Sequence, residues 1–344
     1  MNTTTTRRKF ILSTAALATT SFMSSSTRAA DEPLLIRCSL DTAPSHGRNK
    51  AFQDYLAKLE AQSGGRIKTK LYESGQLFKD LEVAKAMLQN QVEMACPGSW
   101  VITGIVPDAD AFQLPVLYGR TADEVHKIFD NEAGKLINAK IAEKLRGQVL
   151  GPWIDLGYEN WYSTKTPLTS LDSVKGLKVR NSGGPGQAWR AKFVGAIPNT
   201  TAWPSVPLSL SQGVFDTLVS TNESLVTAQL WDAGVKYAYE DHQFFAMYIP
   251  MISTTFWSKL TPDLQKLVTG IWAENIPTYR AHMAEAQTKA RTTLEAHNIK
   301  FVDPSAEQLA ADRKRMMPEQ ESLAKELKLS PDVVKLINAG FPSA

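Results

Sequence analysis

Ser173-Val174-Lys175-Gly176-Leu177-Lys178-Val179-Arg180-Asn181-Ser182-Gly183-Gly184-Pro185-Gly186 reads as a turn, a short strand over Leu177–Arg180 and a glycine-rich loop opening a helix at about Gln187. Open α/β sheets bind ligands beyond the carboxyl ends of their strands. Arg180 stands at such an end, and its planar fork suits a carboxylate. An ordinary surface arginine before a turn has the same local sequence. The surrounding chain bears on the choice between the two.

Upstream, Leu34–Leu40, Ile67–Tyr72 and Val92–Cys96 read as short strands. Between them Phe52, Tyr55, Leu56 and Leu59, and then Leu81, Val83, Ala84, Met87 and Leu88, recur at helical spacing. That alternation predicts a parallel sheet with right-handed crossovers. Phe112–Leu117 reads as an apolar loop or edge segment. Thr121 and Glu124 form a capping box for an interrupted helix ending near Gly147, and Val149–Trp153 follows as a strand.

From about residue 157 the pattern repeats. Tyr158–Thr164 alternates, Ala196–Ala202 and Val214–Ser220 read as strands, and helical pieces cover Gln187–Val194, Val206–Gln212 and Leu225–Trp231. His242–Ile252 is one long apolar strand, suited to crossing between domains. Thr261-Pro262 starts a long helix by N-cap and N1 proline. It reaches about His297, and Pro277 should kink or break it. A last strand, Ile299–Val302, precedes two polar helices.

With 344 residues, 43% hydrophobic and 21% charged, the composition is that of a globular chain long enough for two cores. The formal charge of +3 misleads. Arg7, Arg8, Lys9 and Arg28 lie in the first thirty residues, which hold no acid, so the remainder is nearly neutral. Nothing calls for nucleic acid or an anionic membrane surface. Residues 1–30 read as an export signal, with Thr6-Arg7-Arg8-Lys9-Phe10-Ile11 resembling a twin-arginine motif before a short apolar run. Thr27 and Ala29 are spaced as in a cleavage site, which puts the mature start near Ala30 or Asp31. Cys38 and Cys96 either form a disulfide after export or stay buried thiols.

Catalytic patterns are missing. The five histidines include no HExxH or paired metal spacing, there is no GxSxG elbow, and the cysteines form no CxxC pair. Neither a metal nor a cofactor is expected. Gly184-Pro185-Gly186 lacks the third glycine and the Lys-Ser/Thr of phosphate-binding loops. Among the eight tryptophans, Trp100, Trp161 and Trp203 fall beside strand ends or loops, where an indole offers a flat wall with one donor. Each equally suits ordinary core packing.

Val174-Lys175-Gly176-Leu177-Lys178-Val179-Arg180 resembles the "lKGlKiR" segment of the substrate-binding proteins of tripartite ATP-independent periplasmic (TRAP) transporters, DctP type. Gly64-Gly65-Arg66-Ile67, Glu73-Ser74-Gly75-Gln76-Leu77, Phe112-Gln113-Leu114-Pro115, Val194-Gly195-Ala196-Ile197-Pro198 and Leu210-Ser211-Gln212-Gly213-Val214-Phe215-Asp216 are similar to family segments in the same order. The resemblance covers about residues 33–340. It implies a periplasmic-binding-protein-like α/β fold: two α/β domains with crossing strands, a long C-terminal helix spanning both, and the ligand in the cleft. The expected division is 31–156 plus about 246–280 for domain I, and 157–245 plus about 281–344 for domain II.

The resemblance implies a monomeric periplasmic protein, not an enzyme, that captures a small organic acid for TRAP membrane subunits. A chemosensory binding protein, or an enzyme acting on such an acid through Asp41, Glu73 or His46, would be built on the same residues. Arg180 takes the family's carboxylate-binding role, Trp203 its aromatic wall, and Ser220 a polar contact beside Thr221 and Asn222. Asn160 stands where sugar-acid binders of the family have a second arginine, which favours a monocarboxylate with a hydroxy, oxo or amide group. Trp161, Ser74 and Gln76 complete the expected ligand-binding set. Ser39, Asp41 and His46 could support it, His46 equally as a capping residue, and Phe78 could close over it.

Overall fold

The computed structural model describes residues 32–342, so the export signal expected at 1–30 lies outside the described residues. The first sheet has the order β2-β1-β3-β10-β4. Its strands are β1 (Leu34–Ser39), β2 (Ile67–Tyr72), β3 (Met94–Ala95), β4 (Gly147–Val149) and β10 (Met251–Ser253). β1, β2 and β3 pair in parallel, with α1 (Gly47–Gln62) and α2 (Asp80–Leu88) as crossovers. β10 runs antiparallel between β3 and β4.

The second sheet has the order β11-β9-β5-β8-β6-β7. Its strands are β5 (Ile154–Ser163), β6 (Lys178–Asn181), β7 (Ile197–Thr200), β8 (Thr217–Ser220), β9 (Tyr237–Tyr248) and β11 (Lys300–Val302). β6 is parallel to β7 and β8, whereas β5 is antiparallel to β8 and β9. The chain passes between the sheets three times, from β4 into β5, from β9 into β10 and from β10 to β11. The single long strand expected over His242–Ile252 is therefore two strands in two sheets, parted at Ile249-Pro250. Pro250 has no N–H for a ladder and marks the crossing.

Other expectations need correction. Phe112–Leu117 is helical: it lies in two 3₁₀ turns, Pro107–Gln113 and Pro115–Leu117, each started by its proline. The helix expected up to Gly147 is α3 (Ala122–Phe129) and α4 (Glu132–Lys140), followed by a π turn, Ile141–Leu145, that Arg146 ends in the left-handed region at φ 52°. Thr121 and Glu124 do form the capping box. The remaining helices are α5 (Pro185–Phe193), α6 (Val206–Ser211), α7 (Asn222–Thr227), α8 (Thr254–Trp257), α9 (Pro262–Ala296), α10 (Ala306–Met316), α11 (Gln320–Glu326) and α12 (Pro331–Ala339).

α9 runs unbroken through Pro277 for 35 residues, a length of roughly 50 Å. Tertiary packing outweighs the hydrogen bond that proline removes. Trp272 inserts among Phe52, Tyr55 and Tyr279, with ring centroids 5.4–5.8 Å apart. Each such pair contributes about 0.5–1.5 kcal/mol beyond its buried area. Further along, Gln287 donates to the carbonyl of Leu156 at 2.7 Å and accepts from the N–H of Glu223 at 3.0 Å. Leu294 enters the smaller core beneath the second sheet, with Val206, Leu218 and Ile299. One helix thus braces α1, β5 and α7.

Candidate functional site

The carboxyl ends of β1 and β3 face those of β6 and β8 across a small cavity. Arg180, Trp203 and Ser220 line it from the second sheet's side; Asp41, Asp80 and Trp100 line it from the first. All but Asp41 are buried.

Arg180 is 1% exposed. Its Nε donates to the carbonyl of Thr201 at 3.0 Å, and its Nη1 to Ser182 Oγ at 2.8 Å and the carbonyl of Val219 at 3.2 Å. Among the described residues nothing bonds Nη2. The guanidinium lies 5.4 Å from the centre of the Trp203 ring. Burial lowers its pKa, and the charges of Asp80, Glu159 and Asp41 oppose that shift. The fork is held by neutral oxygens, so its charge is left for something in the cavity.

The glycines after Arg180 serve the start of α5. Gly184 caps α5 at φ 75°, and a side chain there would meet Asp110 Oδ1 at 2.9 Å. Asp110 Oδ2 accepts the N–H of Gly186 at 2.7 Å. The helix start is thus taken by the protein's own carboxylate, which draws α5 onto the Pro107–Gln113 turn.

The cleft is closed. Asp80 accepts the N–H of Trp203 through both oxygens, at 3.2 and 3.1 Å. Glu223 Oε1 accepts the N–H of Gly47 at 2.6 Å. His46 caps α1, its Nδ1 accepting the N–H of Arg48 at 3.2 Å, while its Nε2 lies 3.4 Å from Ser224 Oγ. Burial pushes its pKa well down, with Arg48 and Lys50 adding to the effect. His46 is therefore a neutral capping residue. Arg48 pairs with Asp41 at 2.6 Å and stacks 3.9 Å from the ring centre of Tyr248.

Five of the eight expected ligand residues lie elsewhere. Trp161 is fully buried in the core, where Nε1 donates to Asp241 Oδ2 at 2.8 Å. Asn160 Oδ1 accepts the N–H of His242 at 3.0 Å and steadies that residue at φ 47°. Asn222 accepts from Tyr162 OH at 2.8 Å and bonds Glu240. It shares with Asn160 a separate crevice beside α9. Gln76 is exposed and does not line the cavity. Ser74 lines only an adjoining outer crevice, with Asp41, Trp203 and Pro204.

Irregular backbone explains the misplacement along β5. The pairing of β5 with β9 shifts register twice, between Asp155 and Gly157 and between Glu159 and Trp161. Gly157 sits at φ 120°. Each bulge changes which residue faces which side. The side chain that reaches the cavity is Glu159, which sequence reasoning overlooked. Asp80 and Tyr248 were overlooked too. Asp80 opens α2 after a proposed loop, a position that gave a weak signal. Cys38 and Cys96 are buried free thiols, not a disulfide. Among the described residues no group of three or more His, Cys, Asp or Glu side chains is placed to hold a metal.

A sequence model of the bacterial extracellular solute-binding proteins, family 7 (DctP), matches residues 39–326. The chain belongs to this family. Family 7 relatives include the C4-dicarboxylate-binding periplasmic protein DctP of Rhodobacter capsulatus, 26% identical over 89% of this chain and 91% of that protein. The sialic acid-binding periplasmic protein SiaP of Vibrio cholerae is 25% identical over 71% of this chain and 76% of its own. Among solved structures, the sugar acid binding protein DctPAm of Advenella mimigardefordensis, in complex with galactonate, superposes with a TM-score of 0.84. It is 19% identical and covers 91% of this chain and 99% of its own. A TRAP periplasmic solute-binding protein of Ralstonia eutropha with bound (S)-2-acetolactate gives 0.83, at 20% identity over 90% and 99%. These likenesses establish a family 7 fold, α/β with two mixed sheets, and the solute-binding role of the family.

Proposed function

We infer that this protein captures a small organic acid carrying one carboxylate in the cleft around Arg180 and delivers it to TRAP-type membrane subunits from the periplasm. The export signal expected at residues 1–30 is cleaved in this reading, and the protein acts as a monomer and not as an enzyme. One observation carries it. Arg180 is buried, its Nε and Nη1 are fixed by neutral acceptors, and its Nη2 is left without a partner among the described residues. A buried, preorganised and half-occupied fork suits a carboxylate. Arg180 is the only cation among the residues lining the cavity, which supports one carboxylate rather than two. Trp203 supplies the flat wall and Ser220 a hydroxyl. The relatives named above bind C4-dicarboxylates, sialic acid or a sugar acid, all carboxylates.

A thermal-shift screen of the purified protein against monocarboxylates, dicarboxylates and neutral sugars tests this reading, since a bound ligand raises apparent stability by mass action. Monocarboxylates should shift the melting temperature of the wild type and not of Arg180→Ala. A shift by neutral sugars alone would contradict it.

A further inference from the structure

The cavity contains a second polar feature that the carboxylate reading leaves unused. Glu159 lines the same cavity as Arg180 and is 2% exposed. Its Oε2 is buried with no hydrogen-bond partner among the described residues. It caps no helix and forms no ion pair among those residues. The other two carboxylates of the cavity are engaged: Asp41 pairs with Arg48 and Asp80 accepts the N–H of Trp203. Leaving a buried carboxylate oxygen unmatched is costly unless something pairs with it. The fold goes to some length to place it there, with a bulge on each side of Glu159 and a glycine at φ 120° two residues before it.

The charges around the cavity narrow what that partner is. A carboxylate on Arg180 neutralises the only lining cation. Glu159 would then face a second carboxylate unfavourably, a hydroxyl with its charge unbalanced, and a protonated nitrogen with both hydrogen bond and charge satisfied. Asn160, expected at the ligand, is absent from the cavity, and the carboxylate of Glu159 stands there instead. We propose that the ligand is a small zwitterion, its carboxylate held by Arg180 and a cationic N–H group held by Glu159. This rests on the carboxylate reading of Arg180. Burial raises the Glu159 pKa to about 7, with Arg180 opposing the rise, so an arriving cation would also draw it into the ionised form. Asp80, Asp41 and Arg180 are the charged groups that share the cavity.

The test is calorimetry on the full mature chain with matched pairs differing only in an amine nitrogen against a hydroxyl or ether oxygen: glycine and glycolate, β-alanine and 3-hydroxypropionate, γ-aminobutyrate and 4-hydroxybutyrate, proline and tetrahydrofuran-2-carboxylate, with succinate as the dicarboxylate. At least one amino member should bind the wild type more tightly than its hydroxyl or ether partner and than succinate. The near-isosteric Glu159→Gln should weaken that amino acid by about thirtyfold or more and narrow or reverse the preference. If hydroxy acids or succinate bind more tightly than every amino member while Arg180→Ala abolishes their binding, the carboxylate reading stands and the zwitterion is overturned. If Arg180→Ala keeps wild-type affinity for whatever binds, the carboxylate reading fails and takes the zwitterion with it. Silence from every amino acid in the set also overturns the proposal.

Discussion

Asp80, the first residue of α2, grips the backbone N–H of Trp203 with both carboxylate oxygens, at 3.2 and 3.1 Å. The contact joins a residue near the first sheet to the aromatic wall of the cleft. It makes closure and the position of Trp203 one event. Two further contacts span the same divide, Glu223 to Gly47 and His46 to Ser224.

Asp80→Ala should therefore weaken ligand binding without contacting the ligand's carboxylate. A charge-assisted bond of this kind contributes about 1.5–3 kcal/mol, or roughly ten- to a hundredfold in affinity. The loss should appear mainly as faster dissociation in stopped-flow tryptophan fluorescence, because the closed state is what slows escape. An unchanged dissociation rate would remove Asp80 from the closure.

Trp161→Phe separates core from cleft. It removes the indole N–H donated to Asp241 and leaves a buried carboxylate short of one donor. Stability should fall by about 1–3 kcal/mol in urea denaturation, with ligand affinity within twofold of wild type. Trp203→Ala should do the reverse, lowering affinity more than stability.

Stability should depend on pH in a defined sense. Burial raises Asp110, Glu159, Glu223 and Asp241 each to about 7. Their ordinary values are 3.8 or 4.5. Between those limits the folded chain keeps protons that the unfolded chain releases, so stability falls as pH rises from about 4 to about 7. Asp303 and Glu60 act oppositely, held low by the Arg291 guanidinium and the Thr69 N–H, and their contribution is lost as the pH drops below about 4. The melting temperature of the ligand-free protein should thus peak near pH 4 rather than at neutrality. Asp241→Asn should flatten the slope on the alkaline side. A melting temperature that climbs steadily from pH 5 to 7.5 would contradict this assignment.

Much of this was legible in the chain. Alternating apolar strands and helical spacing gave the two α/β units, and the segment ending in Arg180 carried the strand, the turn and the cation together. Trp203 and Ser220 come from the family resemblance, and both line the cavity with Arg180. Asn160 comes from its distance to Arg180 in the family pattern and Trp161 from standing beside it; neither signal reveals the bulges of β5, between which Glu159 is the residue that reaches the cavity. Asn222 was assigned to the ligand because it neighbours Ser220, but the turn into α7 aims its side chain at Tyr162 and Glu240 instead. Pro277 was read as a break because propensity sees the missing N–H and not the packing on α1 and β5 that keeps α9 whole.

The central claim is that Arg180 holds the ligand by its carboxylate. Its most direct test is isothermal calorimetry with the best monocarboxylate from the thermal screen and with the carboxamide of the same molecule. Wild type and Arg180→Lys are compared, with folding checked by circular dichroism. The wild type should bind the acid and reject the amide, and Arg180→Lys, which keeps the charge and loses the fork, should bind the acid at least about thirtyfold more weakly. Equal affinity of the wild type for acid and amide, or an undiminished affinity in a folded Arg180→Lys protein, would contradict it.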